Sequence, residues 1–124
     1  RDYALQYLGY STDNGAYYYY YTEPNKNYQD TVIDIKKYHD SNKIPSKYIL
    51  LDSWWYYKGV NGGIKNWTAR DDVFPNGLQY IYEETKWKIQ AHNRYWSLDN
   101  VYANNIPQPT PQPTPLPSVY PKFE

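Results

Sequence analysis

A chain of 124 residues is long enough for one small domain, and its 13 basic and 13 acidic residues leave no global charge that would attract nucleic acid or anionic lipid. Its longest apolar run falls far short of the roughly 18 to 20 residues of a membrane-spanning helix, so we expect neither a nucleic-acid partner nor a membrane span. Cysteine is absent, which excludes disulfides and thiolate metal sites, whereas 20% of the residues are aromatic and 18 are tyrosine.

The first predicted element is a strand over residues 3–9, where β-type residues lead up to a glycine. The polar turn STDNG follows and contains Asp13. Residues 17–21 are consecutive tyrosines, which either line a carbohydrate-binding cleft or pack against the next helix. The chain begins at Arg1, not methionine, so we expect a processed protein or a piece of a longer one.

Residues 27–42 are predicted to form a helix. Asn27 is suited to cap its first turn, and Asp30 follows three residues later. Tyr28, Val32 and Ile35 recur at helical spacing, which indicates one face turned towards a core.

Residues 48–52 form the second predicted strand, a short apolar run of the kind found in buried parallel sheets. The strand ends at Asp52, which is expected to bind a ligand or, alternatively, to cap loop amides. Trp54 and Trp55 follow closely. Because side chains alternate along an extended chain, one indole is expected in the core and the other in a cleft.

Residues 58–76 are predicted to form a long polar loop that contains three glycines. The loop includes the sequon Asn66-Trp67-Thr68. Asn66 is an N-glycosylation acceptor if the protein is secreted, and the match arises by chance otherwise. Trp67 is a further candidate for contact with a sugar.

A second helix is predicted over residues 77–86 and a third strand over residues 89–92. Strands and helices therefore alternate, which predicts an α/β fold with a parallel sheet. Ligands bind at the carboxyl ends of such strands. All three predicted ends carry polar groups that are candidate ligand contacts: Asp13, Asp52, His92, Asn93 and Arg94.

The alternative role of Arg94 is a structural salt bridge.

No metal site or cofactor is expected, because His92 is accompanied by a single further histidine, His39, on a predicted helix face.

From Pro107 the composition changes, because proline occupies every second position up to Pro117. We assign residues 106–117 to a polyproline spacer of roughly 35 Å at about 3.1 Å per residue. Docking of an SH3-type domain is the alternative. The compact part would then span residues 1–105, and residues 118–124 would begin a continuation.

The ordered set LDSWWYYKG, a glycine-rich turn, a tryptophan, FPNGL and a strand resembles glycoside-hydrolase barrels of the α-galactosidase and raffinose-synthase clan. The flanking runs LGYSTDNGAYYYY and AHNRYWSLDNVYA are similar to a eukaryotic branch described as glycoside-hydrolase-like. The resemblance covers about residues 3–103 and implies a (β/α)₈ barrel. At roughly 30 residues for each βα unit, the chain holds the first three units of a partial barrel. The remainder of the barrel or a partner chain would complete it.

In that clan the two catalytic carboxylates lie on the fourth and sixth strands, so the resemblance implies no catalytic residue in this chain. It implies that Asp52 takes the place of a sugar-binding aspartate and that Ser53 stands where the clan has a second one. Trp54 and Trp55 would form an aromatic wall.

The expected function is therefore to position a carbohydrate substrate within a glycoside-hydrolase-like barrel. The alternatives are a non-catalytic carbohydrate-binding protein and an extracellular assembly protein with glycans on Thr110 or Thr114. The expected location is secreted, endomembrane or lysosomal.

Overall fold

The structure is a computed structural model that describes residues 1–13 and 20–103. Most of the tyrosine run therefore lies outside the described residues. The polyproline spacer, both of its threonines and residues 118–124 lie outside them as well.

A parallel sheet of three strands forms the centre of the described part. It consists of β1 (Leu8–Ser11), β2 (Ser46–Leu51) and β5 (Lys88–Ala91), and the strands lie in the order β1-β2-β5. Helix α1 (Tyr28–Ser41) connects the first two strands, and helix α2 (Gly77–Thr85) precedes the third. The two helices contact each other, so they cover the same face of the sheet. The predicted α/β class with a parallel sheet is confirmed.

Helix α1 begins where its sequence predicts. The side chain of Asn27 accepts a hydrogen bond of 2.8 Å from the backbone amide of Asp30, so it satisfies an amide that has no partner within the helix. Tyr28 and Val32 are buried against the sheet, as their spacing predicts. The core between helices and sheet is unusually aromatic and contains Tyr28, Val32, Ile33, Ile49, Leu51, Trp54, Trp55, Tyr56, Ile64, Val73, Phe74, Ile81 and Trp87.

The first strand, predicted over residues 3–9, is wrong over residues 3–7. Tyr3–Leu5 forms a short 3-10 helix, and β1 starts only at Leu8. The carboxylate of Asp2 accepts a hydrogen bond of 2.9 Å from the amide of Ala4, and this local bond favours a turn over an extended chain.

The predicted polar loop over residues 58–76 is also wrong in its first half. Strands β3 (Tyr56–Lys58) and β4 (Ile64–Ala69) form an antiparallel hairpin there. Gly62 lies in the connection with φ of +77°, a conformation that glycine adopts without steric cost. The three glycines therefore mark the turn of a hairpin.

A chain of hydrogen bonds ties α1 to the sheet and to Trp87. The indole Nε1 of Trp87 donates to the hydroxyl of Ser46 at 3.0 Å, and that hydroxyl lies 2.8 Å from Nδ1 of His39. The Ser46 hydroxyl has a second lone pair, so it either donates to an unprotonated Nδ1 or accepts from a protonated one, according to the tautomer of His39. Burial, and then the charge of Lys36, lower the pKa of His39.

We expect His39 to make stability depend on pH. The unfolded chain holds the proton of His39 up to about pH 6.5, whereas the folded chain releases it at lower pH. Stability contributed by neutral His39 is thus fully present above about pH 6.5 and is lost as the pH falls below that value. As the pH is lowered from about 7.5 to about 5, a range that brackets the titration of histidine, the urea midpoint of the wild type should fall more steeply than that of His39→Gln. Parallel pH curves for the two proteins would contradict this assignment.

Candidate functional site

The carboxyl ends of the three parallel strands are joined by hydrogen bonds. The hydroxyl of Thr12, just after β1, donates to the carbonyl of Leu50 at 2.9 Å and accepts from the amide of Asp52 at 3.1 Å. The amide of His92, just after β5, donates to the carbonyl of Leu51 at 2.9 Å. The structure therefore brings residues at the ends of β1, β2 and β5 to one edge of the sheet.

Asp52 and His92 face each other at this edge. Oδ1 of Asp52 lies 3.7 Å from Nδ1 of His92, and the two side chains are 26% and 41% exposed. That separation is too long for a direct hydrogen bond but suits a ligand or water oxygen between the two groups. The amide of Ser53 donates to the same carboxylate oxygen at 2.6 Å, which fixes its orientation.

Both tryptophans that follow Asp52 are buried, so the expectation of one core indole and one cleft indole is wrong. Trp54 is 7% exposed and packs edge-on against Tyr28, with ring centroids 4.8 Å apart. Trp55 is 2% exposed and donates from Nε1 to the carbonyl of His92 at 3.2 Å. The chain turns here, because the amide of Trp54 bonds the carbonyl of Asp52, and alternation therefore does not apply.

Trp67 lies on β4, away from the strand-end group. Its half-buried ring packs against Trp55 at 4.6 Å and lines a separate cavity of about 400 Å³ that also contains Asp71 and Phe74. This cavity includes none of the strand-end candidates. Trp67 therefore belongs to a second surface.

Asn66 is half-exposed beside Trp67, and its side-chain oxygen accepts a hydrogen bond of 3.1 Å from the Tyr102 hydroxyl. Glycosylation of Asn66 stays a prediction.

Asp13, Asn93 and Arg94 are exposed around the strand-end edge. Among residues 1–13 and 20–103 the structure gives no ion-pair partner for Arg94, so the alternative of a structural salt bridge is not seen there.

The sequence pattern does not single out Tyr56 and Lys58, which lie on β3. Tyr56 is 0% exposed, so its hydroxyl is buried. Burial raises the pKa of this hydroxyl, while the charge and backbone amide of Arg94 act in the opposite direction. Desolvation, and then the charge of Arg94, lower the pKa of Lys58, although most of that side chain is exposed. Both residues therefore share the electrostatic environment of Asp52 and Arg94.

Exposed aromatic rings continue directly from the strand-end edge. Tyr95 and Trp96 are 55% and 53% exposed, and Trp96 meets Tyr102 edge-on at 5.4 Å. Backbone hydrogen bonds of 2.9 Å from Ile64 to Tyr95 and from Ser97 to Ile64 fix this segment against β4. The hairpin therefore holds in place the exposed aromatic segment that follows Arg94 in the chain.

The residues described by the structure include no group of three or more histidine or acidic side chains that could hold a metal ion. No helix within the described ranges has the length and apolar character to cross a membrane. Another cavity, of about 580 Å³, lies between α1 and β1 and is lined by residues such as Tyr10, Asp34 and Tyr38. It contains none of the predicted strand-end residues.

No protein-family model, no curated protein and no solved structure matches the chain. The resemblance to glycoside-hydrolase barrels therefore stays a prediction. The function has to be inferred from the chemistry of the strand-end residues themselves.

Proposed function

We propose that the strand-end edge binds a carbohydrate and that the chain is the substrate-positioning, non-catalytic part of a glycoside-hydrolase-type barrel. The observation that carries the proposal is the approach of a partly exposed carboxylate, Asp52, to His92, which is followed within four residues of the chain by exposed Tyr95 and Trp96. Carboxylates accept hydrogen bonds from sugar hydroxyls. Tyrosine and tryptophan rings have an apolar face, which can cover the C–H side of a sugar ring, and a polar tip that can form a hydrogen bond.

The topology is compatible with part of a (β/α)₈ barrel. The three parallel strands follow chain order, both helices cover one face, and no other described strand pairs with β1 or β5. Unpaired strand edges require cover in a stable protein. The remainder of the barrel or a partner chain would supply that cover. We further propose a secreted, endomembrane or lysosomal location, in which Asn66 would carry a glycan.

Calorimetric titration of the 124-residue chain with a panel of neutral monosaccharides tests the proposal. We expect Asp52→Ala to weaken binding by about tenfold or more, because a hydrogen bond to a charged group contributes about 1.5 to 3 kcal/mol. Asp71→Ala is the matched control, since this exposed aspartate lies in the separate cavity beside Trp67. Equal affinities for the wild type and Asp52→Ala would remove Asp52 from the site.

A carbohydrate-binding protein without any catalytic partner is the second candidate. The exposed Trp96 and Tyr102 rings favour it, because aromatic surfaces bind sugars without any reacting carboxylate.

A further inference from the structure

The side chain of Asn66 is oriented by a tyrosine from a distant part of the chain. Asn66 begins the single Asn-X-Thr/Ser sequon of the sequence and lies half-exposed on β4, with exposed Thr68 two residues later. The hydroxyl of Tyr102 donates a hydrogen bond of 3.1 Å to Oδ1 of Asn66. The backbone amide of Trp67 donates to the same hydroxyl, also at 3.1 Å. The oxygen of the Asn66 carboxamide therefore points at Tyr102.

The nitrogen of this carboxamide is the atom to which an N-linked glycan attaches. Within residues 1–13 and 20–103 the structure gives Nδ2 of Asn66 no hydrogen-bond partner, whereas Oδ1 has one. N-linked glycans are bulky and require an acceptor at the protein surface. A half-exposed asparagine whose oxygen is bound and whose nitrogen is not meets that requirement.

The geometry of a glycosylated asparagine directs the sugar towards Tyr102. A substituent on Nδ2 turns the carboxamide into a planar secondary amide, which strongly prefers the trans form. In the trans form the substituent lies opposite Cβ and hence on the same side as Oδ1. Because Oδ1 is the atom that Tyr102 binds, the first sugar would lie next to the Tyr102 side chain.

Tyr102 offers this sugar an exposed aromatic surface. Its side chain is 58% exposed, and the ring of Trp96 packs against it edge-on with centroids 5.4 Å apart. The amide of Val101 donates a hydrogen bond of 2.9 Å to the carbonyl of Lys65, so the segment that carries Tyr102 lies along β4. Aromatic faces suit the apolar C–H side of a sugar ring. One sugar would therefore contact two elements that are far apart in the sequence.

We propose that Asn66 carries an N-linked glycan whose first sugar packs on Tyr102 and holds residues 95–103 against β4. The donor is a sugar joined through its anomeric carbon to a diphosphate. The bond from Nδ2 to that carbon forms, the bond from the carbon to the diphosphate oxygen breaks, the diphosphate leaves with the electron pair, and Nδ2 loses a proton. This inference rests on the secretory location given with the proposed function, and it adds a structural role for the glycan.

Two preparations of the 124-residue chain that differ by one sugar test the inference. Chain secreted from eukaryotic cells is trimmed to a single N-acetylglucosamine, chain made in bacteria has an unmodified Asn66, and mass spectrometry of the Asn66 peptide measures occupancy. In urea unfolding we expect the sugar to raise the folding equilibrium constant about threefold to tenfold, the size of an aromatic contact. In proton NMR the C–H protons of the sugar should shift upfield relative to free glycosyl-asparagine, because they lie over the Tyr102 ring.

Tyr102→Ala should abolish both effects of the sugar. Tyr82→Ala is the matched control, because it removes the same atoms from an exposed ring on α2, and it should keep both effects. The NMR shift is read on the wild type, so it tests the contact even if Tyr102→Ala does not fold.

The outcomes separate this inference from the proposals on which it rests. If Asn66 carries the sugar but neither stability nor the sugar protons change, the contact with Tyr102 is wrong and the glycan stands. If Asn66 of the secreted chain is unmodified, the glycan and this inference are both wrong, whereas monosaccharide binding at Asp52 is judged by its own titration. If Tyr82→Ala removes the effects as fully as Tyr102→Ala, the assignment to Tyr102 is overturned.

Discussion

Trp87→Ala is expected to destabilise the fold by about 3 to 5 kcal/mol, the usual loss when a large buried aromatic residue is truncated. Trp87 is 0% exposed, stacks parallel to Tyr10 with ring centroids 6.0 Å apart, and bonds the Ser46 hydroxyl. The substitution therefore leaves a cavity and removes a partner from a buried hydroxyl. Small domains have a total free energy of unfolding of about 5 to 15 kcal/mol, so this substitution would remove a large share of it. Urea unfolding followed by circular dichroism measures the change.

Trp96→Ala is the matched control, because the same atoms are removed from a ring that is 53% exposed. We expect a loss of about 1 kcal/mol or less, as for other surface substitutions. Equal losses for the two variants would mean that the core around Trp87 is not packed as described.

Gly63→Ala is expected to destabilise the fold by about 1 to 3 kcal/mol and also to weaken sugar binding, because overpacking against backbone forces a shift. A Cβ atom at Gly63 would lie 2.6 Å from the carbonyl of Tyr95 and 2.8 Å from the amide of Ser97. The pairing that holds Tyr95 and Trp96 against β4 would have to open. Urea unfolding and calorimetry with the same sugar panel measure the two effects.

Gly77→Ala tests the effect of backbone strain without steric crowding of the new side chain. Gly77 has φ of +78°, but nothing lies within 4 Å of a Cβ atom built there. We expect a loss of stability of about 1 to 2 kcal/mol from the left-handed conformation alone, with unchanged sugar affinity. Unchanged affinity in Gly63→Ala as well would show that the contact with Tyr95 does not position the aromatic surface.

Local signals in the sequence were sufficient for both helices and for the second and third strands of the parallel sheet. Asn27 and Asp30 mark the start of α1, and the apolar run before Asp52 marks β2. Each of these elements is determined by hydrogen bonding or burial within a few residues, so a single sequence predicts it. The gathering of Asp52 and His92 at one edge follows directly from parallel strand order.

The hairpin and its consequences could not be predicted in the same way. Strand β3 has three residues, too few for a periodic pattern, and its pairing with β4 is interrupted by irregular register. The turn after Asp52 depends on backbone geometry that buries Trp54 and Trp55 together. The strand that carries Tyr56 and Lys58 could therefore not be predicted, because it forms only through its pairing with β4.

The hydrogen bond from Trp55 to the carbonyl of His92 has a consequence for how this protein changes over evolution. A side chain that is 2% exposed is too deep to touch a ligand, yet it sets the position of a residue at the binding edge. Under the proposed function, selection on binding at His92 would act on Trp55 as well. Replacement of Trp55 by another large apolar residue would preserve core volume and still be disfavoured, because the replacement lacks the indole N–H.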